Sequence, residues 1–388
     1  MEAVVDRSSV ISDLPDDCLV AIFQHLNCRT DREAFGLTCQ RWLQIQNATR
    51  LHLKLQSYYD SSAAENYTKQ LPRLLSRFHS LYSLSLAGCT LLPDSALKHL
   101  YSCGSKLQTL CLDCCFYITA NGFSLVFLGC PNLTSISLYR CNVTDAVLEI
   151  LSHSCLALEN VNLSYCVLVT DHGISALSSG CPKLQAVTVS YCKGIRGHGF
   201  KDCQQLIYLE ADSCSFTTDG LLETASTGCL EYLNISNLRC WNGGDGLGSI
   251  GLGGSCLRFL NLRMCRFVGN ESVTAIAKGC PLLKEWCLAL CHEVKALGWE
   301  AIAVNCQNLE ILHVNRCRNL CDRGLRALQN GCGSLRVLYM HGCQKLTIVG
   351  LESFKCLRGE VEVKAEELMS IGRGIERFLL QSTSTRLS

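Results

Sequence analysis

Apolar residues follow two distinct patterns along this chain. Leu19, Ile22, Phe23 and Leu26 recur at i, i+3, i+4 and i+7, the stripe of an amphipathic helix. Pro15 suits the first turn of that helix, where its missing N–H is no loss. Asp16 and Asp17 set negative charge at its N-terminus. Thr30 and Glu33 predict a capping box for a second helix, one face of which carries Phe35, Cys39 and Trp42. Residues 11–50 thus predict two or three short helices, too small a unit to close a comfortable core. A neighbour or a partner must cover some of their apolar surface.

From His79 the pattern becomes CxxLxxLxLxxC, a short turn, TDxG and an apolar helix. The clearest copy is CLALENVNLSYCVLVTDHGISALSSG, from Cys155 to Gly180. Other copies open at Cys103, Cys130, Cys181, Cys203, Cys280, Cys306 and Cys332, and shorter ones at Cys229 and Cys256. Successive openings lie 22 to 27 residues apart, and with the copy at His79 there are eleven. A period of about 20 to 29 residues with LxxLxL is the leucine-rich-repeat signature. In LxL the leucines point inward and the residue between them outward. Thr-Asp pairs (Thr144-Asp145, Thr170-Asp171) are placed to cap the helix that follows, and Gly-Cys-Pro at 129–131, 180–182 and 279–281 to end the one before. No repeat can bury its own apolar face, so neighbours must. The expected fold is an α/β leucine-rich-repeat solenoid, with a curved parallel sheet on the concave face, helices on the convex face and an all-α module at the N-terminus.

The helical module carries a family resemblance. Leu14-Pro15, Leu19, Ile22-Phe23, Leu26, Asp31, Cys39 and Trp42 resemble the F-box pattern LPxxxLxxIFxxL followed by an acid, a Cys and a Trp. The resemblance implies docking on the Skp1 adaptor, and through it on the cullin and RING subunits of a ubiquitin ligase. It implies that Leu14, Pro15, Leu19, Ile22, Phe23, Leu26, Leu37, Cys39 and Trp42 face the adaptor or frame the contact. The repeats are similar to the cysteine-containing leucine-rich-repeat subclass, and F-box followed by that subclass resembles the F-box/LRR substrate receptors. FGLTCQRWLQIQN (35–47), NLRMCR (261–266), AIAKGCPLL (275–283) and LHVNRCRNLCD (312–322) are most similar to the plant members. The organisation expected is a flexible leader (1–10), an F-box (11–50), a linker with a first degenerate repeat (51–78), leucine-rich repeats (79–355) and a C-terminal cap and tail (356–388). Within it, Leu51, Leu53 and Leu55 predict a strand, residues 57–68 a mobile polar loop and Lys69 to Phe78 a helix. Near the end, EVEVKA (360–365) predicts a last strand, EELMSIGRGIERFLL (366–380) a closing helix, and the residues from Gln381 a disordered tail.

Composition narrows the function. The 388 residues are 48% hydrophobic and carry a net charge of +1, which argues against a nucleic-acid binder. No apolar run reaches the roughly 18 residues of a membrane span, and MEAVVDRSSV has no signal-peptide core. An intracellular protein of the nucleus or cytoplasm is expected, with reduced thiols. Twenty of the 29 cysteines fall in two periodic columns, one opening the repeats and one closing the strands, so repeat architecture explains them better than zinc. Gly246 to Gly251 matches GxGxxG, but it lies at the TDxG phase of a repeat in a run with seven glycines among residues 242–254, which reads as a weak, flexible convex helix. No GxSxG or HExxH motif appears, and neither cofactor nor metal is expected.

What remains is recognition of a protein substrate. The outward strand positions are Ser85, Cys111, Ser137, Asn162, Thr188, Glu210, Asn234, Asn261, Cys287, His313 and Tyr339. Just beyond the strands come Tyr139, Arg140, Tyr165, Tyr191, Arg239, Arg263, Arg316 and His341, with the acids Asp113, Glu210 and Asp212 nearby. Tyr and Arg are the residues most enriched at binding hot spots. The candidate substrate surface is Tyr139, Arg140, Tyr165, Tyr191, Glu210, Asp212, Arg263, His313, Arg316, Tyr339 and His341. The resemblance implies a non-catalytic receptor that presents a target for ubiquitination and proteasomal degradation. Two other readings stand beside it: a protein-binding or inhibitor module outside any ligase, and a hormone-type small-molecule co-receptor.

Overall fold

The computed structural model describes residues 14–26, 28–55, 63–227, 230–238, 246–368 and 371. Among them, thirteen strands form one parallel sheet whose spatial order is the chain order, from His52–Lys54 to Glu362–Lys364. The middle residue of each strand pairs with its counterpart, Leu84 with Leu110, Leu110 with Ile136, and so on to Leu338 with Val363. These residues are buried from Leu84 to Leu338, and Trp286, fully buried, takes the same place in the tenth strand. Helices between the strands pack on one another along the convex side, and one apolar core runs from Leu53 to Val361. The architecture is the expected curved α/β solenoid with helices at its N-terminus.

Three ladders join the repeats. Where a thiol closes the strand it donates to a backbone carbonyl of the preceding repeat, as in Cys141 to Leu112 (3.0 Å), Cys166 to Leu138 (3.1 Å), Cys192 to Leu163 (3.1 Å), Cys291 to Leu262 (3.2 Å) and Cys317 to Leu288 (3.0 Å). Burial pushes the thiols of Cys141, Cys166 and Cys192 up to about 12, so they stay neutral. The acid of the Thr-Asp pair reaches forward rather than capping its own helix. Asp145 accepts from the Thr170 N–H (2.8 Å) and hydroxyl (2.6 Å), and Asp322 accepts from the same two groups of Thr347 (2.9 and 2.7 Å). The Thr caps its own helix in several repeats (Thr119, Thr170, Thr217, Thr347), but not at Thr144. The helix-ending glycines allow backbones to touch: a Cβ on Gly129 would lie 2.4 Å from the Leu100 carbonyl oxygen.

Three expectations need correcting, and a fourth, the weak convex Gly-rich helix, is present as a short one. The second N-terminal helix starts at Arg29 with Cys28 at its N-cap, and no side chain caps it. Thr30 is therefore already inside the first turn, and its hydroxyl lies 2.8 Å from the Cys28 sulfur. The segment expected as a loop over 57–68 is helical from Ala63, in a helix that runs to Arg77. AAENYT contains no Gly or Pro to stop propagation from the Leu71, Leu75 and Phe78 face, which is buried on the first repeat. The Gly-rich helix, Ser249–Gly253, is short and tightly packed: a Cβ on Gly251 would lie 2.2 Å from the Ala275 carbonyl oxygen. Finally, Glu366 to Leu368, expected to open a closing helix, are not helical. The rest of that expected helix, apart from Ile371, lies outside the described residues, as do the leader, the tail and Arg239.

Candidate functional site

In the N-terminal module, α1 (Asp16–His25), α2 (Arg29–Thr38) and α3 (Gln40–Thr49) close over a small core of Leu19, Phe23, Phe35 and Ile45. The Phe23 and Phe35 rings lie 5.1 Å apart, and Phe35 stacks on Trp42 at 4.4 Å. Leu14, Val20, Leu26 and Trp42 pack half-buried against this core. Arg41 fastens the entry to the module, donating to Asp16 (2.8 Å) and to the Leu14 carbonyl (2.5 Å). The nine residues implied by the resemblance therefore separate. Leu19 and Phe23 are interior, Leu14, Leu26 and Trp42 are half-buried against the core, and Pro15, Ile22, Leu37 and Cys39 are exposed. Leu37 is 86% exposed and Ile22 42%, a large apolar display for so small a unit.

On the solenoid, one backbone position controls what the concave rim presents. The residue just before the strand-closing cysteine is left-handed in repeat after repeat: Cys114, Arg140, Tyr165, Tyr191, Ser213, Met264, Leu290 and Arg316 all have φ between 57 and 65°. In the flanking repeats the position is glycine, Gly88 and Gly342. A side chain there costs about 1–2 kcal/mol in backbone strain, so the tyrosines and arginines occupy a place the backbone would concede to glycine.

In the N-terminal half these residues form an open ladder. Tyr165 stacks on Tyr191 at 4.3 Å and 10°, Tyr139 meets Tyr165 edge-on at 5.4 Å, and the Arg140 guanidinium lies 5.2 Å from the Tyr165 ring. Tyr191 is 40% exposed. Carboxylates border the ladder. Asp113 accepts from the Ser137 hydroxyl and the Tyr139 N–H, and Asp212 accepts from the Ser236 hydroxyl (2.8 Å). The charge on Asp212 holds the Tyr191 phenol above its ordinary pKa.

Beyond Glu210 the face changes. Glu210 accepts from Tyr208 (2.8 Å), Tyr232 (3.0 Å) and Asn234 (2.6 Å). Burial raises its pKa, and these bonds oppose the rise. Tyr208 and Tyr232 stack at 4.2 Å, with Phe259 tilted 6.3 Å beyond. Ile371 is 3% exposed and belongs to one apolar cluster with Ala186, Tyr208, Tyr232, Cys287 and Ala289. Glu367 lies 2.6 Å from Arg316 and 3.9 Å from Arg263, and the Glu366 carbonyl accepts from Asn315 (2.8 Å). Glu366, Glu367 and Ile371, beyond the last strand, thus lie over this half of the concave face.

His313 departs from the expected contact role. It is 1% exposed, stacked on Tyr339 at 4.3 Å and 2.8 Å from a Glu285 oxygen, so it belongs to the floor. Tyr339 is half-buried beneath Lys364, and His341 is exposed at the rim. Sequence reading missed Tyr208, Tyr232, Phe259 and Glu285. Their signal was present: residues on both sides of an inward Leu face outward, but only the later one was counted.

Known proteins resemble both parts. Residues 11–55 match the family described as F-box-like. Over 286 residues the chain is 55% identical to F-box/LRR-repeat protein 12 of Arabidopsis thaliana, covering 71% of this chain and 72% of that one. It is 28% identical over 171 residues to coronatine-insensitive protein homolog 1a of Oryza sativa subsp. indica, covering 34% of this chain and 27% of the relative. Among solved structures, the yeast Rad7 and Elc1 complex aligns over 95% of this chain and 94% of that one, at 16% identity and a TM-score of 0.46. With the F-box match at the N-terminus and more than half of the residues shared with the Arabidopsis protein across most of both lengths, the chain belongs to the plant F-box/LRR-repeat protein family.

Proposed function

We propose that the chain is the target-recognition subunit of a Skp1–cullin–F-box ubiquitin ligase. The observation that supports adaptor docking is the incomplete closure of the helical module. Its core is finished by Leu19, Phe23, Phe35 and Ile45, while Ile22 and Leu37 stay exposed. Pro15, Ile22, Leu37 and Cys39 form the contact set, with Leu14, Leu26 and Trp42 shared between core and contact. The concave face takes the target, at the Tyr139–Tyr165–Tyr191 ladder with Arg140 and at the rim around Arg263, Arg316 and His341. The chain carries no catalytic residue for the transfer. It acts by holding a target lysine near the conjugating enzyme, which raises its effective concentration.

Ile22→Asp and Leu37→Asp test the docking reading more cleanly than changes at Leu14 or Pro15. The Leu14 side chain packs against the core, so its loss would also disturb folding. Wild type should capture Skp1 and cullin from plant extract, and each aspartate variant should lose them while keeping its melting temperature. Capture undiminished in both variants overturns the docking assignment.

A further inference from the structure

The chain's own C-terminal segment shows what the second half of the concave face accepts. A carboxylate, Glu367, sits between Arg316 and Arg263, and an aliphatic side chain, Ile371, is buried in the apolar cluster that includes Tyr208, Tyr232, Cys287 and Ala289. The two anchors are four residues apart in the chain. They are chemically unlike, so they set both spacing and direction: charge first, aliphatic group second.

The fit is incomplete. Asn261 is fully buried beside Arg263 in sequence, and its side-chain N–H group has no hydrogen-bond partner. Asn315 gives its N–H to the Glu366 carbonyl, but its own Oδ1 is likewise buried without a partner. A buried amide left unbonded costs about 1–3 kcal/mol. A better-matched segment, one offering a carbonyl to Asn261 and a donor to Asn315, would therefore displace the resident one. The resident ion pair is also weak, because Arg316 is 56% exposed and screened by solvent.

We propose that this groove is a recognition cleft for an extended protein segment with an acidic residue followed four positions later by an aliphatic one, and that Glu367 and Ile371 occupy it in its absence. The proposal deepens the target-binding reading of the concave face and rests on it. Such a target competes with the chain's own segment, so occupancy depends on target concentration. Detaching the segment should raise affinity without adding any contact.

The test uses full-length protein and a fluorescein-labelled peptide of residues 364–372, KAEELMSIG. Glu367→Gln/Ile371→Ala removes both anchors from the resident segment and should bind the peptide about tenfold more tightly than wild type. A peptide with Gln for its second Glu, or with Asp for Ile, should bind about tenfold more weakly than the parent. Arg263→Ala/Arg316→Ala in the detached background should lose the preference for glutamate over glutamine. Glu367→Gln alone, a change of charge without shape, should shift affinity in the same direction by a smaller step and guards against misfolding of the double variant. Equal binding to wild type and both detached variants, or indifference to the peptide's Glu and Ile, overturns the cleft. If peptide binding fails while Tyr165→Ala still loses the ligase target, the segment is a structural cap and the target-binding reading survives. If both fail, the reading of the concave face falls as well.

Discussion

Between Asp113 and Asp212 the concave face shows solvent a stack of tyrosines, an arginine and a border of carboxylates. Between Arg263 and Tyr339 the equivalent strands carry arginines, buried amides and a His–Glu pair under the chain's own C-terminal segment. Backbone, register and cysteine ladder are shared by the two halves. The difference lies in the strand-flanking side chains and in what covers them. Half-buried polar residues such as Ser135, Ser137, Asn160 and Asn162 line the first half. Tyr208, Tyr232 and Phe259 make the second half apolar enough to hold an isoleucine. One scaffold thus offers a rigid exposed ladder and, beside it, a filled groove.

The largest expected effect is in the core beneath the filled half. Trp286→Ala removes a fully buried indole and should cost about 3–5 kcal/mol in denaturant melts. It should loosen the strands around Glu285–Cys287 in hydrogen exchange and leave those around Asn160–Asn162 protected. Loss of protection in both halves would mean that the solenoid unfolds as one unit.

In the open half, Tyr165→Ala removes the centre of the ladder. Target affinity should fall by about 2 kcal/mol while stability changes far less. Tyr165→Gly should lose the same affinity yet melt no lower than the alanine variant, because glycine accepts the left-handed φ of 62° at that position. If target affinity is unchanged in both, the ladder is not the contact.

Glu367→Ala tests the cover itself. With Arg316 largely exposed, stability should drop by less than about 1 kcal/mol. Hydrogen exchange at Glu366 to Leu368 should accelerate, with the Tyr139–Tyr191 strands untouched. Unchanged exchange at that segment would show that Ile371 alone holds it.

The smallest effect is on pH dependence at Glu210, on the boundary between the halves. Burial raises its pKa in the folded chain above the ordinary 4.5. The folded state therefore holds the proton more tightly than the unfolded state. The resulting stabilisation is complete below the ordinary value and is lost as pH rises through the raised one. Wild type should gain stability relative to Glu210→Gln as pH is lowered through that window. An identical pH dependence in both proteins would assign the slope elsewhere.

How far these features could be read in advance depended on their range. The LxLxxC spacing located the strands and the thiol column, because burial of each Leu and Cys repeats with the chain. The same reading assigned the Thr-Asp acids to their own helices. Only stacking brings Asp145 to Thr170, some 25 residues along the chain. Thr30 was misjudged as a cap because the turn after α1 delivers the helix start to Cys28. The residues proposed for docking come from the motif as a set, but which of them are buried and which exposed could not be read there, since Ile22 and Phe23 are neighbours in sequence and part ways only when α1 meets α3.

The sequence by itself determined the repeat, the parallel sheet, the helical module and the family, since each rests on local periodicity and motifs whose burial follows from the pattern. Tertiary structure alone decided which concave residues are open and which are floor. It returned Glu367 to Arg263 and Arg316, residues distant in the chain, and set Ile371 in a cluster drawn from four other stretches of it. Such contacts leave no period in the sequence, because they depend on where the end of the solenoid turns back.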